Sequence, residues 1–94
     1  GEQKVTEVKL RSGRALAVDG VFVAVGTIPD TELVKEQVTL NAQGYVVADE
    51  TTKTNLPGVY VAGDLRVKPL RQVITAASDG AVAATQAVRE LLGI

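Results

Sequence analysis

The first twenty residues contain two stretches with the polar and apolar pattern of a half-exposed β-hairpin. Residues 7–11 (EVKLR) carry the clearer strand pattern, and residues 14–18 (RALAV) carry a weaker one. Ser12-Gly13 between them is a turn signal. The pattern therefore predicts a hairpin in this part of the chain.

Two apolar runs do not alternate at all. They are residues 21–25 (VFVAV) and residues 59–62 (VYVA). Unbroken apolar runs of this length predict strands that are buried on both faces. Between them we expect a short helical turn over 30–35 and a small hairpin that joins 38–40 to 45–47.

One long helix is predicted, over residues 71–92. Its apolar positions recur at the i, i+3, i+4 and i+7 spacing, and Gly93 is a natural C-terminal stop. The middle of this helix carries small residues, which are Ala76, Ala77, Gly80, Ala81, Ala83 and Ala84. This stripe either allows another backbone or a flat ligand to approach closely, or belongs to a tightly packed alanine-rich helix.

These elements predict an α/β fold that the chain cannot complete by itself. Strands buried on both faces need helices on both sides of the sheet and further strands at its edges. A single long helix cannot supply this cover. Either the two apolar strands belong to different sheets, or the rest of each sheet comes from another chain or from a missing segment.

The amino-acid composition excludes several kinds of catalytic and metal-binding site. The 94 residues include no Cys and no His, which excludes a thiol nucleophile, an imidazole base and a Cys- or His-ligated metal. We therefore predict no catalytic residue and no metal site. Lys and Arg total 10 and Asp and Glu total 11, a net charge of −1 that argues against nucleic-acid or anionic-membrane partners. Without an apolar run of about 20 residues or a signal peptide, a cytoplasmic location is expected.

Residues 58–64 (GVYVAGD) form the most specific chemical pattern. The predicted strand delivers Gly63 and then Asp64 at its carboxyl end, where ligands bind in open α/β sheets. Gly63 leaves room for a close backbone approach, and Asp64 can accept hydrogen bonds from ligand hydroxyls. The alternative is an acid that only caps the turn after the strand.

The start of the predicted helix follows soon after this block. Its unsatisfied N–H groups and partial positive charge suit an anion or an electron-rich carbonyl. Gln72 offers both a donor and an acceptor to a polar ring edge. Arg71 is slightly unfavourable at this end of the helix dipole, so it either has another partner or is a solvated surface side chain.

The sequence resembles the C-terminal FAD-binding segment of bacterial low-molecular-weight thioredoxin reductases in four segments, which are residues 21–31, 52–64, 71–77 and 79–81. The resemblance covers essentially the whole chain. It implies an incomplete part of a two-domain FAD/NAD(P)-binding fold of the three-layer ββα type. Residues 1–26 would be the C-terminal strands of the NADPH-binding domain, and residues 27–94 would be the returning segment of a discontinuous FAD-binding domain.

The resemblance also implies roles for the candidate cofactor-binding residues. Asp64 would bind the ribityl hydroxyls of FAD, beside the close approach at Gly63. Gln72 and the Val73 N–H would meet the pyrimidine end of the flavin ring, where the helix dipole would stabilise negative charge on the reduced flavin. Arg71 matches the family's Arg before this Gln.

In this family, electrons pass from NADPH to FAD, then to a Cys pair and on to the disulfide of a thioredoxin-like protein. The chain lacks that Cys pair and both Gly-rich phosphate loops. It is therefore predicted to be inactive alone and to be completed by a missing N-terminal part of the same protein, in a homodimer. The lack of Met and the start at Gly1 predict a processed product, a tagged product or an excised fragment.

Two alternatives remain open. The first is another flavoprotein reductase, either an alkyl hydroperoxide reductase flavoprotein subunit or a ferredoxin–NADP reductase of the thioredoxin-reductase type, which share the Pro-Gly and Gly-Asp block. The Arg71-Gln72 pair and the chain end soon after the helix favour thioredoxin reductase. The second is a non-catalytic fragment that self-associates through exposed strand edges.

Overall fold

The structure, a computed structural model, describes residues 2–94. It begins with a two-stranded antiparallel sheet formed by β1 (Glu7–Lys9) and β2 (Ala15–Ala17). The predicted hairpin is therefore confirmed, with shorter strands than the alternation suggested. Gly1, which the predicted domain segment 1–26 includes, lies outside the described residues.

The middle of the chain is held by turns and single bridges rather than by long strands. The predicted helical turn is present only as hydrogen-bonded turns with no helix assigned, in which the Val34 N–H donates to the Thr31 carbonyl at 3.1 Å. The predicted small hairpin is also present, because Leu40 and Val46 form an antiparallel bridge. Asn41 stabilises its turn by accepting from the Tyr45 N–H at 2.9 Å, as Asn side chains commonly do in turns.

The small apolar core lies where this hairpin meets the segment that leads to the helix. Its buried side chains are Val38, Val46 and Val61, and Val46 is only 2% exposed. Val46 also forms a parallel bridge with Arg66, so the hairpin and this segment are joined through the backbone as well. The partly buried residues packed around this core are Val34, Leu40, Ala48 and Leu56.

The α-helix of the described residues, α1, spans Val73–Leu92, so it begins two residues later than predicted. Gly93 ends it in the left-handed conformation with φ of 69°, as the sequence predicted. The Tyr60 hydroxyl donates to the Glu90 carboxylate and ties the last turns of α1 to the core segment. Among residues 2–94, no helix is both long enough and apolar enough to cross a membrane.

The prediction of a buried strand over residues 21–25 is wrong for this structure. No strand is assigned there, and Phe22, Val23 and Val25 are 99%, 80% and 88% exposed. The physical reason is that a central strand needs neighbouring strands, and no described residue pairs with this run. The apolar pattern therefore identifies a segment that is suited to burial but lacks its cover.

The second predicted strand, over residues 59–62, is only partly realised. Tyr60 forms a single antiparallel bridge with Lys53, and Val61 is 7% exposed. Val59 remains 40% exposed. The run is thus buried on the side that faces the small core and open elsewhere.

The overall shape reflects this lack of cover. The radius of gyration is 19.6 Å and the principal extents are 63 × 26 × 25 Å, whereas a compact domain of this length has a radius of about 12 Å. The accessible surface is 7485 Å², against about 5,200 Å² for a compact monomer of this mass. The chain is therefore a partial α/β arrangement, with one helix and a small sheet, that leaves much apolar surface exposed.

Candidate functional site

A short 3-10 turn, Gly63–Leu65, carries the central residues of the site. Gly63 has φ of +80°, a conformation that side chains other than glycine rarely adopt. A Cβ added at Gly63 would lie 3.4 Å from the Ala76 Cβ, so the turn packs directly against α1. This packing leaves the next residue, Asp64, exposed on the outer side of the turn.

A buried charge cluster anchors the turn to α1. The carboxylate of Asp79, which is 6% exposed, accepts from the Gly63 N–H at 3.0 Å. Arg66 donates to both of its oxygens, from Nε at 3.0 Å and from Nη2 at 3.0 Å. The Lys68 ammonium donates to Oδ2 at 2.7 Å. One carboxylate therefore joins the helix, the turn and the chain that follows the turn.

These bonds control the protonation of Asp79. The hydrogen bonds from Arg66, followed by those from Lys68 and the Gly63 N–H, hold the pKa of the Asp79 carboxyl far below its ordinary value. Burial acts in the opposite direction and is outweighed. The same hydrogen bond to Asp79 raises the pKa of the Arg66 guanidinium. Asp79 and Arg66 are consequently both charged at neutral pH.

Arg66 extends the cluster to a strained turn. Its Nη2 donates to Glu50 Oε1 at 3.1 Å and its Nη1 donates to the Asp49 carbonyl at 3.3 Å. Thr52 closes this turn by donating its N–H to the same carbonyl at 3.0 Å, and it is fully buried with φ of +63°. Its hydroxyl has no hydrogen-bond partner among residues 2–94. The conformation is unfavourable for a β-branched residue, so the surrounding contacts must impose it.

The Arg71 side chain spans the outer side of the 63–65 turn. Its Nε donates to the Asp64 carbonyl and its Nη2 donates to the Arg66 carbonyl, each at 3.2 Å. The guanidinium also lies over the Tyr45 ring, 3.7 Å from the ring centroid. Of the two interpretations of Arg71 in the sequence, the one that gives it other partners is confirmed.

An open cleft of about 300 Å³ brings two candidate residues together. Asp64 and Arg71 lie on one side of it, and the irregular segment after the exposed apolar run lies on the other. The remaining lining residues are Thr27, Ile28, Pro29, Asp30, Tyr45 and Leu65. The carboxylates of Asp30 and Asp64 and the guanidinium of Arg71 lie beside apolar side chains in this cleft. Such a mixture of polar and apolar groups is typical of a cofactor or ligand site.

The other two candidates lie at the start of α1. Gln72 is the N-cap, and its backbone N–H donates to Thr75 Oγ1 at 3.0 Å. Val73 is 89% exposed. It is the first helical residue, so its N–H has no intrahelical acceptor. Neither residue lines the cleft, so Gln72 and Val73 form a second, adjoining part of the candidate site.

Sequence reasoning missed the residues that hold the site in place. Arg66, Lys68 and Tyr45 have no local signal, because their partners are distant in the chain. Asp79 does have one. An acid in the middle of an alanine-rich helix, on a face that must pack, is a signal for a buried ion pair.

The residues of the candidate site are suited to binding a ligand. The exposed Asp64 carboxylate accepts hydrogen bonds, and the open end of α1 offers N–H donors and partial positive charge. Within the part of the chain that the structure describes, no three His, Cys, Asp or Glu side chains are grouped closely enough to hold a metal ion. The arrangement suits a ligand with hydroxyl groups and an electron-rich carbonyl.

Comparison with known proteins defines the class to which this fold and site belong. The sequence profile described as "Pyridine nucleotide-disulphide oxidoreductase" matches residues 1–81. The chain is therefore a member of the pyridine nucleotide-disulphide oxidoreductase family.

Within that family, the chain is similar to several thioredoxin reductases. It is 54% identical over 68 residues to a thioredoxin reductase of Peptoclostridium acidaminophilum, covering 72% of this chain and 22% of that protein. It is 47% identical to one of Streptomyces clavuligerus, covering 100% of this chain and 31% of that protein. The crystal structure of the Streptococcus pyogenes MGAS5005 thioredoxin reductase superimposes with a TM-score of 0.78 at 32% identity, covering 100% of this chain and 32% of that one. The predicted resemblance is confirmed, and the chain spans less than a third of the length of these relatives.

The two structural glycines are expected to respond to alanine in opposite directions. Gly63→Ala forces a side chain into a left-handed conformation beside Ala76, which should lower the free energy of unfolding by about 1–2 kcal/mol. Gly80→Ala adds a methyl group to a helical residue with no atom within 4 Å of the new Cβ, and should raise it by about 1 kcal/mol. Urea unfolding of each variant measures the change. Equal effects at both positions would contradict the account of Gly63.

The buried cluster predicts a stability loss in acid. An unfolded Asp titrates near about 3.9, and Asp79 in the folded state titrates lower. Its stabilising contribution is therefore complete above that value and declines as the pH falls below about 4, because the unfolded state then binds the extra proton. Asp79→Asn should lower the free energy of unfolding at pH 7 by about 3 kcal/mol, since it leaves the Lys68 ammonium without its counter-charge and Arg66 with only the exposed Glu50.

Urea unfolding at several pH values between 7 and about 3 tests this expectation. Asp79→Asn should give a flatter dependence on pH than the parent. Asp19→Asn, at an exposed acid outside the cluster, serves as the matched control. An unchanged slope in Asp79→Asn would show that the cluster does not govern acid stability.

Proposed function

We propose that this chain is the C-terminal FAD-binding portion of a thioredoxin reductase. In the complete enzyme, NADPH reduces FAD, FAD reduces a Cys pair, and the pair reduces the disulfide of a thioredoxin-like protein. The observation that carries the proposal is the exposed Asp64 carboxylate, held on a glycine turn that packs against the first half of α1. The thioredoxin reductases among its relatives support the choice within the family.

The residues present fit a flavin. Gly63 keeps side-chain bulk away from the turn, and Asp64 can accept hydrogen bonds from the ribityl hydroxyls. Gln72 and the Val73 N–H offer donors to the pyrimidine carbonyls, and the positive end of α1 favours negative charge there. Arg71 lies beside Asp64 in the cleft and holds the turn. When bound, FAD supplies the hydride and electron-transfer chemistry, while these residues bind and orient it.

The same proposal assigns the rest of the chain. Residues 1–26 complete an NADPH-binding domain. Residues 27–94 complete a discontinuous FAD-binding domain of the three-layer ββα type. The exposed run 21–25 then joins a sheet supplied by the remainder of a longer protein. The large exposed apolar surface supports this assignment, and it also offers a face for a second copy in a homodimer.

The 94-residue chain alone is expected to bind no FAD and to reduce no disulfide with NADPH. It contains no Cys for the dithiol step, and it presents only one part of a flavin site. Flavin fluorescence titration and an NADPH oxidation assay measure the two properties. Addition of a preceding segment with the phosphate loops and Cys pair should restore both. Saturable FAD binding by the chain alone would contradict the expectation that the site is incomplete.

Asp64→Ala is expected to weaken FAD binding by the full-length protein by about 1–3 kcal/mol, the scale of hydrogen bonds to a charged group. The dissociation constant from flavin fluorescence gives the change. Asp19→Ala, which removes an exposed acid from the hairpin end, is the control and should leave the affinity unchanged. Equal affinities in the parent and Asp64→Ala would sink the proposed role of Asp64.

A further inference from the structure

Tyr45 is an aromatic residue at the cleft to which neither the sequence patterns nor the proposed function assigns a role. It lies at the end of the small hairpin, immediately before Val46. The Val46 N–H donates to the Leu65 carbonyl at 2.8 Å, and the Val67 N–H donates to the Val46 carbonyl at 2.9 Å. These two backbone bonds hold Tyr45 beside the turn that carries Asp64.

The Tyr45 ring is the platform on which Arg71 rests. At 3.7 Å from the ring centroid, the guanidinium is well within the range of a cation–π contact. A planar guanidinium can stack on an aromatic face and still donate in its own plane. Arg71 does both, because its Nε and Nη2 donate to backbone carbonyls while its face covers the ring.

The two carbonyls that Arg71 binds belong to Asp64 and Arg66, on either side of Leu65. Among residues 2–94, no hydrogen bond holds the Asp64 carboxylate itself, which is exposed at the cleft. The backbone of the turn therefore sets the position from which this carboxylate extends. A contact that fixes this backbone on its outer side fixes that position.

We propose that Tyr45 is a positioning residue of the flavin site: its ring holds Arg71, and Arg71 holds the turn that presents Asp64. This inference rests on the proposed function. The ring, rather than the hydroxyl, performs the task, because the hydroxyl makes only one contact in the described chain, at 3.5 Å to Thr27 Oγ1. Phenylalanine can therefore replace Tyr45, whereas an aliphatic side chain of similar size cannot.

The test compares Tyr45→Phe, Tyr45→Leu and Arg71→Lys in the full-length protein, with FAD as the probe. Tyr45→Phe should keep the dissociation constant for FAD within about twofold of the parent. Tyr45→Leu and Arg71→Lys should each raise it by about tenfold, since the first removes the ring and the second removes the planar fork. The double variant Tyr45→Leu/Arg71→Lys should bind FAD no more weakly than the weaker single variant, because both changes break one contact.

Each result either supports or overturns the positioning role of Tyr45. If the parent binds FAD and Tyr45→Leu binds it equally well, the inference is overturned and the proposed function stands. A Tyr45→Phe variant as weak as Tyr45→Leu also overturns it, because the hydroxyl would then be the active group. If the parent binds no FAD, the proposed function fails and this inference fails with it. Should urea unfolding show that Tyr45→Leu does not fold, Arg71→Lys decides, and its unchanged affinity would overturn the inference.

Discussion

The Asp79 carboxylate is the contact on which the rest of this structure depends. It receives hydrogen bonds from the Gly63 backbone, from Arg66 twice and from Lys68. A buried charge would be strongly destabilising alone, and it is tolerated here because two cations and a backbone donor satisfy it. With so small an apolar core, this cluster is the buried polar link between the first half of α1 and the remainder of the chain. Its geometry sets the position of the Gly63–Leu65 turn.

Two acids at that turn have different roles: Asp64 lies within it, and Asp79 contacts it from α1. Asp79 is buried and fully paired, and it serves the architecture. Asp64 is exposed at the cleft, and it remains available to a ligand. The separation follows from Gly63, whose left-handed conformation and missing side chain let the turn pack closely on Ala76. Arg71 and Tyr45 then hold the outer side. The turn of the candidate site is thus held on the side of α1 by the Asp79 charge cluster and on its outer side by Arg71 stacked on Tyr45.

The exposed apolar run 21–25 is the second feature that shapes this structure. Phe22 and Val25 are almost entirely open to solvent, although their sequence pattern is that of a central strand. The chain spans less than a third of its relatives' length, and in the proposed enzyme this run joins a sheet that the remainder of a longer protein supplies. Under that proposal, burial of this run depends on strands and helices outside the 94 residues.

The sequence by itself determined what short-range physics controls. The alternation at 7–17 produced a hairpin, the periodicity after Arg71 produced α1, and Gly93 ended that helix. Gly63-Asp64 and the resemblance to thioredoxin reductases were also legible in the residues alone. Only the tertiary structure decided that 21–25 lies exposed, that Asp79 pairs with Arg66 and Lys68, and that Arg71 stacks on Tyr45. These outcomes join residues far apart in the chain or require a neighbouring strand, and no local pattern encodes the partner of a distant side chain.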